Sequence, residues 1–387
     1  MARRSRTPAV SFNWPLFIGH WSFSSVLVLA VIAVALVQAV CGGLNLDFLD
    51  GARTVTETVS GDWVRVYFTR PRYPDDDAYH HGGLDEELVS VIEQAETRVD
   101  VVAYDFDLES VAGALIAAHR DGVQVRIVVE SDNADEEAVA DLQRAGIPIV
   151  EDGRSSGLMH DKFAVIDGQW VWTGSWNLTE NGTYRNNNDA VLIGSTTLAE
   201  NYSAEFEEMF AGQFGPTSPA DTPNPRVIIT VETGEGQERQ VEVENYFAPE
   251  DEVAAQIIAE IEGAQSHIRF LAFTFTSDEI ADALLERARA GVVVQGVMES
   301  RNAGREYSQY ERLRAAVHDV LPDGNPYIMH HKVIIVDDAT VILGSYNFTS
   351  SAENNNDENL LIIHDPEVAA LFVAEFGRVY EVARTAD

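Results

Sequence analysis

Past residue 60, short apolar runs alternate with stretches in which apolar residues recur at helical spacing, and the whole alternation occurs twice. The first pass has a strand-like VRVYF (Val64–Phe68), a helical ELVSVIEQAETR (Glu87–Arg98) and the apolar VDVVAYDFD (Val99–Asp107). A second helix follows over Ser110–Gly122, then the strand VQVRIVVESDN (Val123–Asn133). The second pass runs VEVENYF (Val241–Phe247), a helix over Glu252–Ala264, HIRFLAFTFT (His267–Thr276), a helix over Asp278–Gly291 and VVVQGVMESRN (Val292–Asn302). Strand and helix periods alternating in this way predict two similar α/β lobes, each a mixed sheet flanked by helices, with a shared site at the lobe interface. The lobes are expected over residues 63–213 and 241–387. Residues 214–240 between them read as a Pro-rich linker (GPTSPADTPNPR) and a hairpin turning near Gly234–Gly236.

Residues 1–43 follow a different pattern. Arg3, Arg4 and Arg6 precede a nearly unbroken apolar run from Trp21 to Val40, and no acid occurs before Asp47. A positive start followed by such a run predicts a secretory signal or membrane anchor, with the folded body exported and outside the cytoplasm. Cys41, the lone cysteine, lies where a lipid-anchored Cys would, although Gln38 and Val40 fit a processing box poorly. A single Cys excludes an intrachain disulfide framework and a Cys-rich zinc site.

Charge sharpens the picture. The chain has 63 acids against 26 basic residues, a net charge of −37, and this field repels long polyanions. Only two of the basic residues are lysines, Lys162 and Lys332, and both fall in the densest shared segment of the repeat. MHDKFAVIDGQWVWTGSWN supplies His160, Lys162, Asp167, Ser175 and Asn177; MHHKVIIVDDATVILGSYN supplies His330, Lys332, Asp337, Ser345 and Asn347. The spacing H-x-K-x4-D, with G-S-x-N seven residues on, is the same in both. On a strand, His and Lys at i and i+2 share a face. Two such sets brought together offer two imidazoles and two ammoniums, flanked by short polar groups. That is an anion pocket able to hold a phosphodiester and to exchange protons or attack it. The motif has no carboxylate-rich cluster, so chemistry without metal or cofactor is expected. The acidic loop PDDDAYHHGG (Pro74–Gly83) could take a metal, but a solvated loop is the simpler reading.

These paired segments resemble the two HKD motifs of the phospholipase D superfamily, and the resemblance extends from about residue 63 to the C-terminus. The lobes are most similar to the short nuclease-like and cardiolipin-hydrolase-like branch, in which two chains normally pair. Here one chain carries both lobes, so a monomer suffices for a complete site. The resemblance implies metal-independent phosphodiester transfer through a phosphohistidine. One of His160 and His330 attacks and the other protonates the leaving oxygen, with His160 favoured as nucleophile. It also implies that Lys162, Lys332, Asn177 and Asn347 hold the non-bridging oxygens and that Ser175 and Ser345 support them. Asp167 and Asp337 complete the catalytic motifs, but five residues past each Lys they face away from it, which suits a structural role. An acid after each motif should orient the imidazoles. Glu358 fits in the second lobe; in the first, Asn188 holds the matching place and Asp189 follows it, so either Asp189 substitutes or His160 lacks a carboxylate.

Three functions are compatible with this pattern. The preferred one is hydrolysis of a phospholipid head group, with the N-terminal segment holding the enzyme beside lipid. A nuclease is the second: no basic track flanks the motifs, but Arg154, Arg185, Arg301 and Arg305 could line a local groove despite the global charge. The third is a non-catalytic phosphate- or lipid-binding module, against which the intact His, Lys and Asn of both copies speak. A transphosphatidylase of the cardiolipin synthase type ranks below hydrolysis.

Overall fold

The computed structural model describes residues 54–60, 62–219, 222–232, 238–317 and 319–386. The expected signal or anchor at 1–43, Cys41 and the hairpin turn at Gly234–Gly236 lie outside the described residues. No helix among the described residues is long and apolar enough to cross a membrane.

After β1 (Thr54–Ser60), the first lobe comprises β2 (Val64–Phe68), α1 (Leu84–Ile92), β3 (Arg98–Ala103), α2 (Glu109–Arg120), β4 (Gln124–Val129), α3 (Glu137–Arg144) and β5 (Ile149–Glu151). It continues with β6 (Lys162–Ile166), β7 (Trp170–Gly174), β8 (Asp189–Gly194) and α4 (Thr196–Phe210). Then come β9 (Arg226–Glu232) and β10 (Glu238–Ala248). The second lobe goes on through α5 (Val253–Gly263), β11 (His267–Ala272), α6 (Asp278–Arg289), β12 (Val293–Met298), α7 (Tyr310–Val317), β13 (Val320–Pro322) and β14 (Lys332–Val336). It ends with β15 (Thr340–Gly344), β16 (Glu358–His364) and α8 (Pro366–Thr385).

The repeat in sequence is a repeat in topology. The first sheet runs β2-β8-β7-β6-β3-β4-β5 and the second contains β10-β16-β15-β14-β11-β12-β13, the same order strand for strand. In both, the strand that opens on the motif Lys is central, antiparallel to its two neighbours. In the region expected as linker and hairpin, the two strands of the hairpin are β9 and β10, and the hairpin has a further partner. β9 pairs antiparallel with β10, and β1, which precedes the first lobe in sequence, pairs parallel with β9. Residues 226–232 and 54–60 therefore extend the second sheet rather than join two free lobes.

Helices cover both faces of each sheet, which is why the central strands read as continuous apolar runs; KFAVI of β6 and KVIIV of β14 are buried at every position. Each lobe has an outer core of its own under its α/β crossover helices. A third core lies between the lobes, built from Val165, Val191 and Phe206 of the first and Val333, Leu361, Phe372 and Phe376 of the second. Each fully buried side chain of this size contributes roughly 1.5–3 kcal/mol. The apolar face common to both sheets thus holds the two central strands against each other.

Candidate active site

Each motif reaches the pocket by pairing with the other lobe. Met159 bridges Asp357 and Asn187 bridges Met329. The His160 amide donates to the Asp357 carbonyl at 3.0 Å, and the His330 amide donates to the Asn187 carbonyl at 2.9 Å. Each imidazole therefore meets a residue at the start of the opposite lobe's last strand: Glu358 opens β16, and Asn188 immediately precedes β8. His160 Nδ1 lies 2.7 Å from Glu358 Oε2. His330 Nδ1 lies 2.9 Å from Asn188 Oδ1 and 3.1 Å from the Ser175 carbonyl. Asn188 Nδ2 donates to the Gly182 carbonyl at 2.9 Å, which fixes the amide's orientation, so Nδ1 of His330 carries the proton.

The orienting groups thus cross between lobes, correcting the expectation that each acid serves its own motif. Glu358 holds His160, not His330. His330 is the imidazole without a carboxylate, and Asn188 takes that place. Asp189 orients neither; it accepts from His331 Nδ1 at 2.6 Å and from Ser175 Oγ at 2.9 Å.

Ser345 Oγ donates to Glu358 Oε2 at 2.7 Å, and Ser175 Oγ lies 3.0 Å from Asn188 Oδ1, so the two serines sit behind the orienting groups. Glycine before each is a steric requirement. At φ +151 and +150, a Cβ on Gly174 or Gly344 would stand 2.4 Å from the Asp189 carbonyl oxygen or 2.2 Å from that of Asn359. Asn177 and Asn347 are half-buried, and their amide oxygens have no partner among the described residues.

Lys162 and Lys332 are 4% and 1% exposed, and neither lies within ion-pair distance of a carboxylate among the described residues. Each donates to its own motif histidine's carbonyl, Lys332 at 2.8 Å, and Lys332 Nζ is also 3.2 Å from His330 Nε2. Burying a charge without a partner costs several kcal/mol. Two such costs at one point mark a site whose partner is an anion. Burial brings the Lys162 ammonium down to about 8. Burial and Lys162 take Lys332 well below the ordinary lysine range. Burial together with the two ammoniums holds both imidazoles well below the usual histidine value. Burial pushes Glu358 up to about 7, against the pull of Lys162 and its hydrogen bonds.

Asp167 and Asp337, counted with the catalytic motifs, stand at the far ends of β6 and β14. Asp167 accepts from the backbone N–H of Glu96, Thr97 and Arg98, and Asp337 from those of Gln265, Ser266 and His267, at 2.7–2.9 Å. Against the cost of burial, these donors bring Asp337 down to about 2. Both clip a turn to the start of β3 or β11 and have no contact with the pocket, so they belong to the fold rather than the chemistry.

Two pocket residues escaped sequence reasoning. Tyr104 packs on His160 with ring centroids 4.7 Å apart, and Phe273 packs on His330 at 4.5 Å. Each Lys Nζ lies 4.9 Å over the ring of its own lobe. The signal was present: AYDFD and AFTFT put aromatics at matching places just past β3 and β11.

Three of the four arginines considered for a nucleic-acid groove are engaged elsewhere. Arg154 is tied to Asp152 and Asp357, Arg185 to Asp75 and Asn181, and Arg301 to the Pro326 carbonyl. Among the described residues, two carboxylate–histidine groups have the reach to share an ion: Asp75, Asp77 and His80, and Glu244, Glu260 and His364. Neither includes a pocket residue. Asp75 already binds His80 and Arg185, and Glu244 binds His364, Tyr246 and Arg226.

A family model described as the PLD-like domain of cardiolipin synthase matches residues 88–210 and 257–380, one stretch in each lobe. A phospholipase D of Rickettsia prowazekii is 34% identical over 131 residues, 34% of this chain and 64% of that protein. The mitochondrial cardiolipin hydrolase of Xenopus tropicalis is 32% identical over 133 residues, 34% of this chain and 62% of that protein. The chain thus spans less than two thirds of the length of either relative. The phosphatidylserine synthase of Haemophilus influenzae superposes over 83% of this chain and 86% of its own, with a TM-score of 0.57 at 14% identity, a likeness of fold.

Proposed function

The chain belongs to the phospholipase D superfamily through its two PLD-like domains, and from that premise we propose that it hydrolyses the head-group phosphodiester of a phospholipid through a phosphohistidine. The observation that carries the reading is the pairing of two buried, unneutralised lysines with two imidazoles held at Nδ1, so that both Nε2 atoms are available to a bound phosphodiester.

His160 Nε2 attacks phosphorus, and the ring gains positive charge as the P–N bond forms. The Glu358 carboxylate at Nδ1 compensates that charge. His330 enters this step as the imidazolium, taking up a proton at Nε2 when the anionic diester offsets the two ammoniums; the bond to the leaving alcohol breaks, and its oxygen takes that proton. A neutral amide at Nδ1 does little to hold an imidazolium, so His330 gives up that proton readily. Water then loses a proton to His330 and attacks phosphorus, and the P–N bond breaks. Lys162 and Lys332, with Asn177 and Asn347, stabilise the equatorial oxygens throughout.

A lipid substrate is supported by the names of the curated relatives, by the charge of −37 and by the engagement of three of the four candidate groove arginines with protein acceptors. Residues 1–43 would hold the exported body at the bilayer. The test is a side-by-side assay of the full chain on phosphatidylcholine vesicles, cardiolipin vesicles, single-stranded DNA and an aryl phosphodiester, each with EDTA. Lipid turnover that persists in EDTA is expected. Rapid DNA cleavage without lipid turnover would replace this reading with the nuclease, and binding without turnover of any diester would replace it with the non-catalytic module.

A further inference from the structure

Arg154 follows β5 in the first lobe, and its side chain is 17% exposed. Its guanidinium engages three acceptors: Asp152 Oδ2 at 3.0 Å, the Asn355 carbonyl at 3.2 Å, and Asp357 Oδ2 in the second lobe. The remaining oxygen of Asp357 accepts from the Gly215 amide. Gly215 has φ +58, and a Cβ there would stand 2.2 Å from Arg154 Nη1, so a side chain at this position would displace the guanidinium. Asp357 is also the backbone partner of the first motif. Its amide donates to the Leu158 carbonyl at 2.9 Å and its carbonyl accepts from the His160 amide at 3.0 Å. The next residue is Glu358, whose carboxylate meets the His160 ring.

The other half of the pocket solves the same problem without charge. Asn325 Nδ2 reaches Asn187 Oδ1 at 2.8 Å and the carbonyls of Arg185 and Ile328 at 3.1 Å. Asn187 there occupies the place of Asp357, just before Asn188. The second motif is thus seated by an amide network and the first by an ionic grip.

We propose that Arg154 is a positioning residue for His160: by clamping Asp357 across the lobe interface, it sets the Glu358 carboxylate against the imidazole. A planar, multidentate guanidinium suits this task where a lysine does not, because it holds three acceptors in fixed directions. Displacing a reacting group by about 1 Å costs on the order of 10²-fold in rate. The kinetic consequence rests on the phosphodiesterase reading; the clamp itself does not.

The test uses the full chain labelled with 15N-histidine, its His160 and His330 ring resonances assigned by comparison with H160A and H330A. In R154Q the His160 resonances should move while those of His330 stay. On an aryl phosphodiester kcat should fall by about 10²-fold with KM little changed. D357N should reproduce R154Q, and the double variant should be no worse than either single, because both act through one contact. R154K should recover only part of the loss; it also keeps the buried charge should R154Q fail to fold. Full activity in R154K, a raised KM with His160 undisturbed, or additive losses in the double variant would overturn the proposal. If the His160 resonances shift as expected while the wild type hydrolyses no diester, the clamp stands and the functional reading fails.

Discussion

In one half of the pocket, His160 leans on a carboxylate, Glu358, which is backed by Ser345 and Asn356 and seated by the Arg154–Asp357 pair. In the other, His330 leans on the amide of Asn188, backed by Ser175 and seated by Asn187 and Asn325. One layer further out the pattern reverses. Asp161, beside His160, is held by the amide of Asn359, which accepts from Thr173, whereas His331, beside His330, is sandwiched between Asp189 and Glu375, with Arg70 and Arg378 on Glu375. Burial pushes Asp161 well up, while the two carboxylates outweigh burial and raise His331. Two backbones related by a repeat therefore present chemically different imidazoles. The difference teaches that duplication supplied the geometry of the site, and that divergence at a few supporting residues assigned unequal tasks to equivalent atoms.

The sharpest way to break this comparison is to remove each imidazole. H160A and H330A should each lose activity by about 10⁴-fold or more. Turnover of a 32P-labelled diester quenched in alkaline detergent, where a P–N bond survives, should trap label on His160 in the wild type; label on His330 would reverse the assignment. Next in size is the pair of supports. E358Q should cost about 10²- to 10⁴-fold in kcat, whereas N188A should cost about tenfold. Equal losses measured under saturating substrate would mean that the carboxylate has no special role.

A smaller effect is expected in the pH profile. Glu358 titrates at about 7 and Lys162 at about 8. As pH rises through the first value, Glu358 becomes the carboxylate on which His160 leans, and kcat/KM should climb. Through the second, Lys162 loses its charge and kcat/KM should fall. E358Q should abolish the acid limb and keep the alkaline one; an acid limb that survives E358Q belongs to another group. The least effect on chemistry is expected from D167A and D337A. Each removes the acceptor of three backbone N–H groups and should lower stability by about 2 kcal/mol by denaturant titration, while kcat per folded molecule stays unchanged. A selective loss of kcat in either would return that aspartate to the catalytic machinery.

Much of the molecule was legible in its residues. Hydrophobic period, helix stops and the doubled spacing of His160, Lys162, Asp167, Ser175 and Asn177 with His330, Lys332, Asp337, Ser345 and Asn347 announced two α/β lobes and one anion pocket. They could do so because strand periodicity is local: His and Lys two apart share a face wherever the strand goes. The structural role of the two motif aspartates followed from the same rule, since residues an odd number of positions apart point to opposite faces.

What the residues did not disclose is which group serves which. Glu358 lies 28 residues past His330 and 198 from His160, and it holds His160. Arg154, a candidate for a nucleic-acid groove, is paired with Asp152 and Asp357; the hairpin expected after the linker also takes β1 as a parallel partner and extends the second sheet. Each of these depends on how the lobes meet, and that meeting is decided by the apolar core between Val165, Phe206, Leu361 and Phe372, not by any local spacing. The sequence by itself determined the chemistry available, two lysines that open equivalent strands and two histidines just before them. The tertiary structure alone decided their partners, because hydrogen bonds across the interface form only after burial of the shared face has brought residues 198 positions apart within 2.7 Å.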